Sequence, residues 1–249
     1  MKDDNHNRLI NNHTGITKQE LLEESHQFRE DFLCAIQNCD REKLENYKMT
    51  MNHFLKEDSL DIFKRTPGNK LRSLKNFLLS HNTLYSYSAE KGGLNAAKSH
   101  YISEKYSIMI EHTDTISDLH HIHTLMVDEY SDPTLRFHKP ESSTIVEKVE
   151  VFIEINFSEN YTVEEISRKL HVHPSHLMRA FKNEKGITVS LYRNRKRVAE
   201  AKKLLSYSNL SLTDIAIMVG FNNSQYFSKV FKEVAGISPK VYRKSKSQS

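Results

Sequence analysis

A self-similarity at an offset of 49–50 residues, running through the C-terminal third, constrains this 249-residue chain more than any other feature. In the first copy Ile166, Ser167, Leu170, His171 and Val172 precede Leu177 and Phe181. In the second, Ile215, Ala216, Val219, Gly220 and Phe221 precede Phe227 and Phe231. The early positions match at 49 and the late ones at 50, so the second copy carries one extra residue at its turn. The echo continues from Phe181-Lys182, Gly186-Ile187-Thr188 and Tyr192-Arg193 to Phe231-Lys232, Gly236-Ile237-Ser238 and Tyr242-Arg243.

A repeat of this form fits two helix-turn-helix units, expected over 162–184 and 211–234. The first short helix needs a small residue, Ser167 or Ala216, where the second helix crosses it closely. It ends at a residue that accepts positive φ: Gly220 suits this, and His is among the non-glycine residues that also go there, which admits His171. Thr162-Val-Glu-Glu165 and Ser211-Leu-Thr-Asp214 read as N-terminal caps, Pro174 as a first helical residue, and Gly186 and Gly236 as C-terminal caps. Between the units, 189–205 holds no Gly or Pro and reads as one linker helix, roughly 25 Å long at ~1.5 Å per residue. Such a rod would hold two reading helices near the ~34 Å repeat of successive major grooves of a duplex.

Charge points the same way. Residues 160–249 carry 17 Lys and Arg against 6 Asp and Glu, whereas residues 1–139 carry 18 against 21. The positive charge therefore sits where a polyanion would be met.

Upstream, apolar residues recur every three to four positions and nothing alternates with period two, so residues 1–138 are expected to be all-α. Thr17-Lys-Gln-Glu20 reads as a capping box before Leu21, Leu22, Phe28, Phe32 and Ile36. Further helices are expected over 41–56 (Leu44, Tyr47, Met51, Phe54 and Leu55 inward), from Leu71 to Gly92-Gly93, and over about 97–111 and 116–130. The stretch 131–140, with two prolines, reads as a linker to a second domain at 139–249, which opens on a capping box at Thr144-Ile-Val-Glu147. Seven glycines and 5 prolines are few for a β-barrel.

Two cysteines, Cys34 and Cys39, lie five apart on one expected helix, pointing apart, and read as reduced thiols. His120 and His123, at i,i+3 with His112 and His121 nearby, form the best metal candidate, but no cysteine or clustered carboxylate joins them. No glycine-rich phosphate loop, nucleophile elbow or paired acid appears, so the expectation is a chain that is not an enzyme, with no cofactor and no metal. No run approaches eighteen uninterrupted apolar residues and Met1–Asn12 is polar, which makes cytoplasm the expected location.

With these residues laid out, the segment from about Tyr161 to Arg243 resembles the AraC/XylS family of transcription regulators. Both "YTVEEISRKLHVHPSHLMRAFKNEKGITVSLYRNRKRVAEAKKLL" and "LSLTDIAIMVGFNNSQYFSKVFKEVAGISPKVYR" carry the resemblance. It implies recognition helices at about 174–184 and 223–234, with base contacts from Ser175, Met178 and Arg179 and from Ser224, Gln225 and Lys229. His176, Lys182, Arg195, Arg197, Asn223, Ser228 and Lys232 are expected at the DNA backbone. Arg193 and Lys196 replace apolar residues common in the family, and His171 a frequent glycine; these are expected to loosen the first unit or extend its basic face. Segments such as "LRSLKNFLLSHNTLYSYSAEKGGL" resemble helical N-terminal halves of some members, not the sugar-binding barrel of others. The resemblance implies promoter DNA and RNA polymerase as partners and activation more than repression; the absence of a long apolar run makes a membrane partner unexpected. Dimerisation or effector sensing falls to the N-terminal domain by elimination. A metal-dependent enzyme with a helix-turn-helix appendage and a non-specific DNA-binding scaffold are the rivals.

Overall fold

Helices α1 (Lys18–Asn38), α2 (Arg41–Glu57), α3 (Lys70–Lys91), α4 (Ala96–Glu111) and α5 (Ile116–Tyr130) fall where apolar periodicity places them. The computed structural model describes residues 18–57, 66–136 and 144–246. The chain divides into two units, Met1–Phe137 and His138–Ser249. In the first, α3 lies against α1, α4 and α5. Its buried stripe, Leu74, Phe77, Leu78, Tyr85 and Ala89, follows the three-to-four spacing of one helix face, and Phe32 and Ile36 of α1, Ile102 and Met109 of α4, and Ile122 and Met126 of α5 are buried too, with Phe32 edge-on to Tyr85. Asn69, Asn95 and Thr115 cap α3, α4 and α5, each side chain accepting a backbone N–H of the first turn. Cys34 and Cys39 are both free thiols, and Cys39 takes a left-handed conformation just past α1. Thr17, and the side chains of Leu21, Leu22, Phe54 and Leu55, lie outside the described residues.

The second unit contains α6 (Ile145–Asn156), α7 (Val163–Lys169), α8 (Pro174–Lys185), α9 (Val189–Tyr207), α10 (Leu212–Met218), α11 (Ser224–Ala235) and α12 (Pro239–Lys246). Both capping boxes form, at Thr144 with Glu147 and at Thr162 with Glu165. The central α9 packs against α6, α8, α10, α11 and α12. It buries Val198, Ala201, Leu204 and Leu205 and runs two residues beyond the expected end. Among the described residues everything regular is helical, apart from one isolated antiparallel bridge between Leu94 and Arg136. No helix among them is long and apolar enough to cross a membrane.

Candidate nucleic-acid interface

Two copies of one local construction present α8 and α11. Thr162 caps α7 and Ser211 caps α10, each side chain accepting the backbone N–H three residues on. Ser167 and Ala216 are buried where the short helix meets the next one. His171 takes φ 55° and Gly220 φ 91°, so both turns use the left-handed region. His173 Nδ1 accepts the N–H of Ser175, and Asn223 Oδ1 that of Tyr226, so these side chains cap α8 and α11. Leu177 and Phe181 anchor α8; Phe227, Val230 and Phe231 anchor α11. Gly186 and Gly236, both left-handed, end the two helices.

The Tyr-Arg echo has a physical cause. Tyr192 meets Phe181 edge-on at 5.4 Å, and Tyr242 meets Phe231 at 5.7 Å. Arg193 donates to the carbonyl of Tyr161, and Arg243 to that of Leu210, in each case the residue just before the cap of the unit's first helix. The same aromatic and the same guanidinium thus close each unit onto its own entrance. Arg193 therefore tightens the first unit instead of loosening it.

With the buried faces fixed, the outward faces follow. Ser175, His176, Met178, Arg179 and Lys182 are exposed on α8, and Gln225, Tyr226, Lys229 and Lys232 on α11; Ser224 and Ser228 are half-buried. Counted from the first helical residues Pro174 and Ser224, Ser175 stands where Gln225 does, Arg179 where Lys229 does and Lys182 where Lys232 does. Ser228, assigned from sequence to the backbone, occupies the position of Met178, assigned to bases. Among the described residues Arg179, Lys182, Lys229, Lys232 and the exposed Arg195 enter no ion pair, so their charge faces solvent. Met178 leaves 46% of its surface exposed beside Arg179, an apolar group at a position otherwise open to water.

Two expectations for α9 change, and one helix boundary shifts. Arg197 is only 4% exposed: Nε donates to Phe157 O at 2.6 Å, and Nη2 to Glu159 O at 2.9 Å and Asn160 Oδ1 at 3.2 Å. A guanidinium spent in this way has no geometry for a phosphate, and burial, reinforced by neighbouring Arg193, lowers it to about 10. Lys196 extends no basic face, because it pairs with Glu154 at 2.6 Å and Glu200 at 3.5 Å. Asn223 stands one position before α11, so the second reading helix begins at Ser224; its side-chain oxygen caps that helix and its exposed amide nitrogen stays available to a phosphate. A recess of 340 Å³ lined by Glu154, Lys185, Ile187, Tyr192, Arg195 and Lys196 lies alongside, with Lys185 paired to Glu150 at 2.8 Å.

Tyr226 is an outward-facing aromatic on α11 that the sequence reading did not single out. It is 52% exposed, with its ring edge-on to Phe221 at 5.9 Å. The available signal was its outward phase, one residue before the buried Phe227.

The histidine cluster has a different character. His123 lies in the core, hydrogen-bonded through Nε2 to the Tyr85 hydroxyl at 3.0 Å. Burial, with lesser contributions from His81, His120 and Lys48, lowers it to about 3. His112 and His121 bond the carbonyls of Ile108 and Ser117 on their own helices. No group of three or more His, Cys, Asp or Glu among the described residues is placed to hold a metal.

A family model described as a helix-turn-helix domain matches residues 166–245. The chain is 36% identical over 110 residues to the HTH-type transcriptional activator AarP of Providencia stuartii, spanning 44% of this chain and 82% of AarP. It is 39% identical over 105 residues to the bifunctional transcriptional activator/DNA repair enzyme AdaA of Bacillus subtilis, spanning 42% of this chain and 50% of AdaA. In relatives such as AdaA the chain therefore spans half of the relative's own length or less. Among solved structures, the C-terminal domain of AraT, a response regulator from Geobacillus stearothermophilus, is similar at 35% identity and TM-score 0.40, covering 41% of this chain and 86% of that one.

Proposed function

Because the chain belongs to the AraC family of transcription regulators, we propose that it is a sequence-specific DNA-binding regulator, more an activator than a repressor. In this reading α8 and α11 enter successive major grooves of promoter DNA. The observation that carries it is the pair of equivalent outward faces, each with a serine or amide, a long cation and a second cation one turn on. Arg179 would take guanine O6 and N7, Gln225 adenine, and Met178 a thymine methyl. Ser175, Ser224 and Lys229 complete the base-reading set, while His176, Lys182, Arg195, Ser228 and Lys232 hold phosphates. Tyr226 joins the phosphate set through its hydroxyl.

Residues 139–249 serve as the DNA-binding domain and 1–138 as a regulatory or dimerising domain that answers a small-molecule effector. RNA polymerase is the downstream partner and the cytoplasm the location. The chain acts as a regulator and not as an enzyme. The metal-enzyme rival loses support because His123, half of its best ligand pair, is committed to Tyr85 inside the core.

Selection from a random-sequence duplex pool by the purified full chain tests the reading. The expected product is a bipartite element whose halves lie about one helical turn apart. Enrichment of no sequence, despite binding to bulk DNA, would refute it in favour of a non-specific scaffold. Zinc at one equivalent with loss of function in a His120→Ala variant would favour the enzyme.

A further inference from the structure

Arg197 departs from the repeat. Arg193 has its counterpart in Arg243, whereas Ser247 stands where a counterpart of Arg197 would be. From the middle of α9, Arg197 reaches the segment 157–160 that leads into the first helix-turn-helix, holding Phe157 O, Glu159 O and Asn160 Oδ1. The central carbon of the same guanidinium lies 5.2 Å from the ring centre of Phe221, in the turn of the second. Two further contacts join those same segments directly. Asn160 Nδ2 donates to Asn222 Oδ1 at 3.1 Å. Gly220 approaches so closely that a Cβ there would stand 2.2 Å from Ser158 O and 2.7 Å from Arg197 Nη2.

A linker helix by itself fixes the distance between two heads better than their rotation, because one rod resists stretching but leaves small twists about its axis inexpensive. Apolar packing against that rod is non-directional. A second link away from the axis, built from directional hydrogen bonds and a close backbone approach, removes the remaining rotation. The entrance of the first head, the Arg197 fork and the turn of the second head make such a closed ring.

We propose that Arg197, with Gly220 and the Asn160–Asn222 bond, is a clamp that sets the angular register of α11 relative to α8, making the spacing between the two half-elements a feature the protein reads. The clamp rests on the proposed DNA-reading function. Arg197 is a positioning residue, since it touches no base or phosphate in this scheme.

The test uses the full chain and the duplex it selects from the random pool, alongside the same duplex with one base pair inserted between the halves. The insertion shifts one half by ~3.4 Å and turns it by ~35°. The readout is the ratio of the two dissociation constants. For the wild-type chain a loss of ~10-fold or more is expected, comparable to spoiling a base contact. In Arg197→Lys, which keeps the charge and loses the fork, the ratio should fall below about 3-fold, with the selected site itself bound more weakly. Asn222→Ala alters only an exposed side chain, so it tests the clamp even if Arg197→Lys folds poorly; its ratio should fall between these values. A variant that merely lowers the folded fraction weakens both duplexes equally and leaves the ratio at the wild-type value. That unchanged ratio in both variants, on a sequence the wild-type chain selects, would overturn the clamp alone. Selection of no sequence would overturn the functional reading and the clamp with it.

Discussion

Replacing Gly220 by alanine brings two separate costs that a pair of controls can divide. The first is conformational: at φ 91° an L-residue pays for the left-handed region, ~1–2 kcal/mol. The second is steric. The new methyl would meet Ser158 O at 2.2 Å and Ser158 C at 2.7 Å, backbone atoms that no rotamer change moves. It would also press on Arg197 Nη2, which is held by Glu159 O and Asn160 Oδ1, so retreat loses hydrogen bonds from a charged group, each worth ~1.5–3 kcal/mol. With one of those two bonds lost, the sum is ~3–5 kcal/mol. Gly236→Ala, at φ 81° with nothing within 4 Å of the added carbon, carries only the ~1–2 kcal/mol conformational cost. Gly186→Ala is the matching control in the first unit. Differential scanning calorimetry of the full chain should show the transition of the second unit falling by ~4–8 °C for Gly236→Ala, and by ~12–20 °C for Gly220→Ala, at about 4 °C per kcal/mol. Equal shifts for the two would refute the reasoning, because segment 157–160 would then be yielding freely and the close approach would hold nothing.

Arg179→Ala and Lys229→Ala should each weaken binding to the selected duplex by ~1–3 kcal/mol and relax the preference at one base pair apiece, read by repeating the selection with each variant; an unchanged selected sequence would remove them from the base-reading set. Lys232→Ala should weaken all duplexes alike and reduce the slope of log K against log salt by about one unit, measured by anisotropy from low to moderate salt. His123 governs a pH dependence of the first unit: held neutral down to about 3 when folded but protonating near 6.5 when unfolded, it makes the unfolded state bind the extra proton throughout that window. Stability should therefore fall by about 1.4 kcal/mol per pH unit as pH drops below 6.5, and flatten again near 3. In urea titrations across this range His123→Gln should lose most of that slope, and an identical slope in the variant would place its origin elsewhere.

The sequence alone determined the architecture of the second unit, because a repeat records the same packing problem solved twice. Leu177 and Phe181, and their echoes Phe227 and Phe231, could only be inward, and that set the phase of α8 and α11 and hence the outward positions of Arg179 and Lys229. Caps were equally legible, since Thr162 and Ser211 act on backbone groups three residues away. What sequence could not separate was the fate of neighbouring arginines on α9. Arg195 faces solvent, Arg193 closes its own unit and Arg197 is buried. Phase gave a hint, because Arg197 lies on the stripe of Ala201 and Leu204, but a cation there reads equally well as a basic face. The decision lay with carbonyls about 40 residues upstream, at Phe157 and Glu159, and with a turn about 20 residues downstream, at Gly220 and Phe221. Burying a charge is tolerable only where acceptors converge on it. That convergence is a property of the assembled helices, so the tertiary structure, and not the local sequence, turned an expected phosphate contact into an internal brace.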